Sequence, residues 1–462
     1  MRRLTLLAGL VAAVATPAAA WSFGGVLTSD YYSSAAIGRI QLAAPWTITP
    51  DLEPTYPDAI GVWHGDLVYI VNRRGADNIQ ILDPARDFTT VDQVVELGPD
   101  RGLKHLAFLD DGTAYVSCYD RAELLHVDLT THTILHVVST LAFADGDGLP
   151  ETGWLLRDGD RLFVTCERLD RGAWYSPVGD SYLLVLDLAT REWVDCDPDR
   201  AGVQGIQLAA TNPYCEPVRN GSRLLVGCSA FFGLADGGVD VVDLVGLRSL
   251  GLEITEDELG GDVVDVAGGA AGRRHVVVAD ADFRTAVKAY RPGEGVVSIH
   301  EGVAYDHADL AYDGDVQLFV ADRRLGAAGV RVFDAASGVQ LTAGPLATGL
   351  PPASFVLPAN APIAVGESPP AGLSLAAPWP NPANPGCQVA FTAAPAARVE
   401  LRVVDLRGRL VQRGSVEADA AGRGRWEFSG LDAAGRPVAS GVYRVIATSG
   451  ADFAACSLTL VR

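Results

Sequence analysis

The sequence predicts an all-β chain: a seven-bladed β-propeller followed by a small Ig-like β-sandwich. Three observations carry this expectation. A strand pair recurs seven times with a period in the forties, glycine and proline punctuate the whole chain, and the composition changes after residue 357. The 462 residues suffice for two domains, and a hydrophobic content of 48% suffices for a large core. Fifty glycines and 26 prolines supply the turns that short strands require.

The first element is residues 1–20, "MRRLTLLAGLVAAVATPAAA". Arg2 and Arg3 precede an apolar run that ends in Ala18, Ala19 and Ala20, the pattern of a secretory signal cleaved near Ala20. The run is too short to span a bilayer, and no later stretch is apolar enough to do so. The expectation is a secreted or outer-surface protein in which disulfides are permitted. A formal charge of −21 argues against nucleic acid and anionic membranes as partners.

Residues 21–357 carry the repeat. "GTAYVSCYDRAELLHVDL" (112–129) shows its form: a turn, an apolar strand closing on a small residue, then a second strand closing on Asp. Copies follow the same plan from "GVLTSDYYSSAAIGRIQL" (25–42) to "VQLFVADRRLGAAGVRVFDA" (316–335). The second strands end at Gln41, Asp83, Asp128, Asp187, Asp243, Tyr290 and Asp334, spaced 42 to 59 residues apart. Such a period with several short strands per unit marks propeller blades. Inner strands precede the turns at 59–66, 105–112, 153–160 and 308–315. The first copy has none ahead of it, and "PPASFVLPANAPIAV" (351–365) is placed to supply one and close the ring.

On "YIVN", "YVSC", "FVTC" and "LFVAD", with their following "LD", "VD" or "FD", residues 25–365 resemble the YVTN-type propellers of exported bacterial proteins. That resemblance implies a fold. Propellers host many activities, so it implies no particular function.

Residues 358–372 are rich in proline, glycine and alanine and read as a linker. Residues 373–462 show alternating strands joined by glycine turns. They contain Pro380-Asn381-Pro382, "VVDLRGRLV", Trp426 before "GLDAAGRPVASGVY", and a last strand ending at Arg462. In that order the motifs resemble the Ig-like domain of flagellar hook-capping proteins and the related type A sorting domain of type IX secretion. The resemblance implies export or surface attachment through the corresponding machinery. "FSGLD" departs from the family's usual "WDGRD".

Seven cysteines leave at least one unpaired in a monomer. Cys387 and Cys456 lie on the first and last strands of the small domain, a possible bridge worth about 4 kcal/mol in the chain-entropy model. Cys196 and Cys215 flank a blade connection and form a second possible pair. Cys118, Cys166 and Cys228 share one register, held elsewhere by Ser29, Asn72, Ala279 and Ala321. There a free thiol serves as a small buried hydrophobe.

Several stretches admit chemistry. In "ADGDGLPETG" (144–153), Asp145, Asp147 and Glu151 alternate among glycines, which suits either a Ca2+ loop or a solvated acidic turn. His105, Glu151, Glu216, Asp265, His307 and Asp309 are expected to approach one mouth of the channel. There they form either a divalent-metal site or an ordinary polar funnel. Trp174, Tyr175 and Tyr182, in the insertion 168–182, offer a contact surface for a glycan or peptide, or else cap a blade edge. No nucleophile motif, phosphate loop or haem attachment sequence occurs, so no catalytic residue is assigned. The expected role is a secreted or cell-surface binding protein with the propeller as recognition module. The alternative is a propeller hydrolase or lactonase with a metal at the channel mouth.

Overall fold

A computed structural model describes residues 21–358 and 373–461, apart from residues 74, 96, 376, 377, 379, 380, 382, 395, 406–408, 420, 421, 433, 434, 450 and 451. The expected signal segment, nearly all of the linker, and Pro380 and Pro382 lie outside the described residues. The chain divides into two compact units, each taken here by itself.

Among its described residues the first unit holds seven antiparallel blade sheets and one small two-stranded sheet, Leu169–Asp170 with Ser176–Pro177. We number the blades by the order of their central strands: Phe23–Ser29, Leu67–Asn72, Thr113–Cys118, Arg161–Cys166, Arg223–Cys228, Arg274–Ala279 and Gln317–Asp322. Blade 1 takes its inner strand, Pro352–Val356, from the far end of the unit. That pairing joins the two ends of the ring and leaves no open inner edge. Blade 7 has three strands, and bridges from Val330 to Leu346 and from Phe333 to Gln340 extend its outer side.

The central strands are apolar on both faces because each sheet has a neighbour on each side. Seven hydrophobic clusters fill the seven interfaces. They run from Leu27, Ile37, Trp63 and Ile70 between blades 1 and 2 to Val26, Ile40, Phe319 and Val332 between blades 7 and 1. Cys118, Cys166 and Cys228 are fully buried, each on the face turned to the preceding blade. Burial pushes the Cys118 thiol up to about 12.

The Asp that closes the third strand in five of the seven blades explains the repeat. Asp83, Asp128, Asp187, Asp243 and Asp334 each accept backbone N–H groups from the turn that follows. The carboxylate replaces backbone partners that the turn cannot supply.

One register differs from the sequence expectation. Asp322 pairs with His307 as Cys118 pairs with Leu103, so Asp322, not Ala321, is the blade 7 equivalent of the buried thiols. Asp322 is fully buried and is held by Arg331 Nε at 2.6 Å and by the Arg324 N–H at 2.9 Å.

The second unit is a two-sheet sandwich. Ser374–Leu375, Cys387–Thr392 and Arg423–Phe428 form one sheet; Leu410–Glu417, Arg398–Asp405, Gly441–Ser449 and Asp452–Leu460 form the other. Val389, Phe391, Leu401, Val403, Phe428, Val445 and Leu458 meet in its core. Tyr443 Oη donates to the Ala439 carbonyl at 2.7 Å, a tyrosine-corner contact. Trp426 lies so close over Gly414 that a Cβ there would fall 2.1 Å from its indole nitrogen. Cys387 and Cys456 stand on opposite sheets and border one core as free thiols.

Cys196 and Cys215 are also free. Cys196 packs with the cluster between blades 4 and 5, and Cys215 with the cluster between blades 5 and 6. The blade 5 sheet separates the two clusters, so this pairing is corrected.

Candidate functional site

The inner strands of blades 1, 3, 4, 6 and 7 each carry a β-bulge near their start. A bulge releases backbone groups from the ladder and re-aims the side chains beside it. The preceding blade around the ring satisfies some of the released N–H groups. Leu155 N–H donates to His105 Nδ1 at 3.2 Å, Leu310 N–H to Asp265 Oδ2 at 2.7 Å, and Phe355 N–H to Asp309 Oδ2 at 2.8 Å. His105, Asp265 and Asp309 therefore have a structural duty, stitching each inner strand to the next.

Around these residues, side chains from every blade converge on one mouth. Tyr31 and Arg323 meet where blades 1 and 7 join, with the guanidinium 4.0 Å from the ring centre. Arg323 also donates to the carbonyls of Ser29, Pro351 and Pro352. Arg73 of blade 2 pairs with Asp58. Lys104 of blade 3 lies 5.4 Å from the ring centres of both Tyr119 and Trp154. Tyr119 Oη donates to Glu167 Oε2 of blade 4 at 2.8 Å. Trp154 Nε1 donates to the Tyr214 carbonyl at 3.3 Å, and the hydroxyls of Tyr214 and Tyr305 interact.

Glu216 stands apart from this bonded set. Its side chain is 60% accessible, yet burial raises its carboxyl to about 7. The two facts agree for a group inside a channel, open along the axis but walled by protein. Its Oε1 lies 3.8 Å from His105 Nε2, beyond hydrogen-bond range. Burial, reinforced by Lys104, holds His105 down at about 3, so the ring is neutral. Since Nδ1 accepts from Leu155, the proton sits on Nε2 and faces Glu216. Asp309 is raised to about 7 by burial, and Glu216 adds to that shift. Asp265 is pushed well above the usual carboxylate range by burial and by Asp309.

Other expected site residues lie elsewhere. His307 is fully buried between blades 6 and 7, with Nδ1 3.0 Å from Thr285 Oγ1 and Nε2 2.8 Å from His300 Nδ1. The bulge between His307 and Leu310 turns Asp309 to the axis and leaves His307 on the blade interface. Glu151 is also fully buried. It accepts from Arg171 Nε at 2.9 Å and from Leu169 N–H at 3.1 Å, pinning the 168–182 insertion instead of facing the channel. Asp145 and Asp147 cap their own turn, accepting from the N–H groups of Asp147 and Leu149. Among the described residues no three His, Cys, Asp or Glu side chains are grouped to hold a metal ion. Tyr182 is buried in blade 4 and offers no contact surface, whereas Trp174 is 96% exposed and Tyr175 is exposed beside it.

Sequence reading missed Tyr31, Arg73, Tyr119, Glu167 and Arg323. All but Tyr31 directly follow the last residue of a central strand, the register just after the buried cysteines. That position is legible once the repeat is aligned. Lys104 and Trp154 leave no such signal, because bulges bring them to the mouth.

Residues 383–452 match the family of FlgD Ig-like domains. No curated protein matches the chain. Similar solved structures include PorZ, a surface component of the type-IX secretion system of Porphyromonas gingivalis, at 15% identity and a TM-score of 0.45. That match covers 93% of this chain and 64% of PorZ, so the chain spans about two thirds of PorZ. The periplasmic gluconolactonase PpgL of Pseudomonas aeruginosa is 15% identical, with a TM-score of 0.48, over 73% of this chain and 99% of that one. A functionally unknown protein of Desulfotomaculum acetoxidans is 11% identical, with a TM-score of 0.49, over 73% and 100%. At these identities the likeness concerns the fold alone. No helix among the described residues is long and apolar enough to cross a membrane.

Proposed function

We propose that this chain is an exported binding protein whose propeller recognises its ligand at the channel mouth. One observation carries the reading: aromatic and charged side chains from all seven blades, among them Tyr31, Arg73, Lys104, Trp154, Glu216, Asp265 and Tyr305, converge on a single mouth. Aromatic faces beside convergent polar groups are the composition of a recognition site. The exposed Trp174 adds to it, because Arg171 of the same insertion reaches the Tyr119 carbonyl at the mouth. The C-terminal Ig-like domain serves export or attachment at the cell surface in this reading. Its support is the ordered motif set of residues 373–462 together with the signal pattern of residues 1–20.

The test is to probe glycan and peptide arrays with the full chain and with Trp154→Ala and Tyr305→Ala. A true ligand loses about tenfold or more in affinity with these variants, the usual cost of an aromatic anchor. If every array ligand binds the variants as it binds the parent chain, the mouth is not the recognition site.

A further inference from the structure

Blades 6 and 7 meet on a short chain of hydrogen bonds. Thr285 Oγ1, at the start of the third strand of blade 6, accepts the N–H groups of Asp306 at 3.0 Å and His307 at 2.8 Å. Both of its lone pairs are then filled, and its O–H is left to donate. The nearer acceptor is His307 Nδ1 at 3.0 Å, against the Ala304 carbonyl at 3.4 Å. His307 therefore carries its own proton on Nε2 and donates it to His300 Nδ1 at 2.8 Å. His300 in turn is protonated on Nε2. This order has no place for one more proton. Added to His300 Nδ1, it sets two N–H groups against each other across 2.8 Å. Added to His307 Nδ1, it points an N–H at an oxygen whose lone pairs are taken. Reversing the bond between the two rings also puts a hydrogen on His307 Nδ1 and meets the same obstacle. The charged groups around the pair are Asp306, Asp322, Arg324 and Arg331, with Glu301 next to His300 in the chain. The carboxylates are already engaged: Asp322 by Arg331 at 2.6 Å, Asp306 by Arg324 at 3.3 Å and the Val303 N–H at 2.7 Å, Glu301 by the Ser298 hydroxyl.

We propose that the seam between blades 6 and 7 is a proton-operated latch, shut while His300 and His307 are both neutral and parted when either takes up a proton. His307 is fully buried at the seam and His300 is partly buried, edge-on to the Phe333 ring. Burial is the first cause holding both imidazoles below their ordinary 6.5, with His307 at about 4. In an open seam they return to the ordinary value. A base lowered in the closed state favours closure above pH 6.5, and that contribution is lost as pH falls. The position of the latch gives it reach. Arg324 spans the same seam to Asp306 and to the Glu301 carbonyl. Its neighbour Arg323 holds the carbonyls of Ser29, Pro351 and Pro352, where the two ends of the ring pair. Acid therefore loosens the last blade beside the point of ring closure, whatever ligand the mouth receives.

Hydrogen exchange of the full chain tests this, read by mass spectrometry at about pH 7.5 and 5.5 and corrected for the pH dependence of the chemical step. Each imidazole that must stay neutral in the closed seam raises opening about tenfold over that interval, so the pair raises exchange of residues 297–312 about a hundredfold. Residues 218–228 of blade 5 contain no histidine and serve as the internal reference. His300→Gln keeps an acceptor for the His307 Nε2–H and removes one titrating group, so its response drops to about tenfold. The parent chain decides the first point without any variant, which keeps the test whole if His300→Gln does not fold. The proposal is overturned if acid raises exchange of 297–312 by less than about tenfold relative to 218–228. It is equally overturned if a folded His300→Gln chain responds as the parent does.

Discussion

Asp322→Ala is a substitution that the strand repeat makes look harmless, because Ala279 holds the same register one blade earlier. The structure says otherwise. Asp322 is fully buried and carries the Arg331 guanidinium at 2.6 Å, itself about nine-tenths buried, together with the Arg324 N–H. Removing one partner of a buried pair leaves an uncompensated charge and costs about 3–5 kcal/mol. At roughly 2 °C per kcal/mol for a large domain, the thermal midpoint falls by about 6–10 °C. Differential scanning fluorimetry reads this directly. Adding Arg331→Met removes the stranded charge and restores stability to within about 1–2 kcal/mol of the parent chain. A loss below about 1 kcal/mol for the single variant, or no recovery in the double, would refute the reasoning.

Two further outcomes follow from buried groups. Burial lifts Glu151 to about 7, outweighing the Leu169 N–H and Arg171. A carboxyl raised in the fold above its unfolded value near 4.5 weakens the fold as pH rises between those values. The thermal midpoint therefore falls relative to Glu151→Gln from about pH 4.5 to 7, and parallel pH profiles would count against it. The thiols of Cys118, Cys166 and Cys228 are fully buried, and burial is the main cause raising each of them. Ellman's reagent labels them only after unfolding in guanidinium, and stoichiometric labelling of Cys118 in the native chain would contradict the packing role.

The sequence by itself determined the number of blades, the sandwich that follows them and the place of the buried cysteines. Each rests on local chemistry repeated along the chain. An Asp caps the turn after a third strand, as Asp128 does, and an apolar run such as "YVSC" has to be covered on both faces. Even the closing strand 352–356 was legible, because the first repeat lacked an inner partner.

Only the tertiary structure decided the mouth. Strand parity tells which side chains share a face, and a bulge breaks that parity without a mark in the sequence. Thus Asp309 turns to the channel while His307, two residues earlier, turns to a blade interface. Burial is equally non-local. Glu151 and Glu216 read alike as acids near an inner strand, yet one is spent on Arg171 and the other faces His105 across 3.8 Å at the mouth. Their different fates come from residues tens of positions away, brought alongside only when the ring closes.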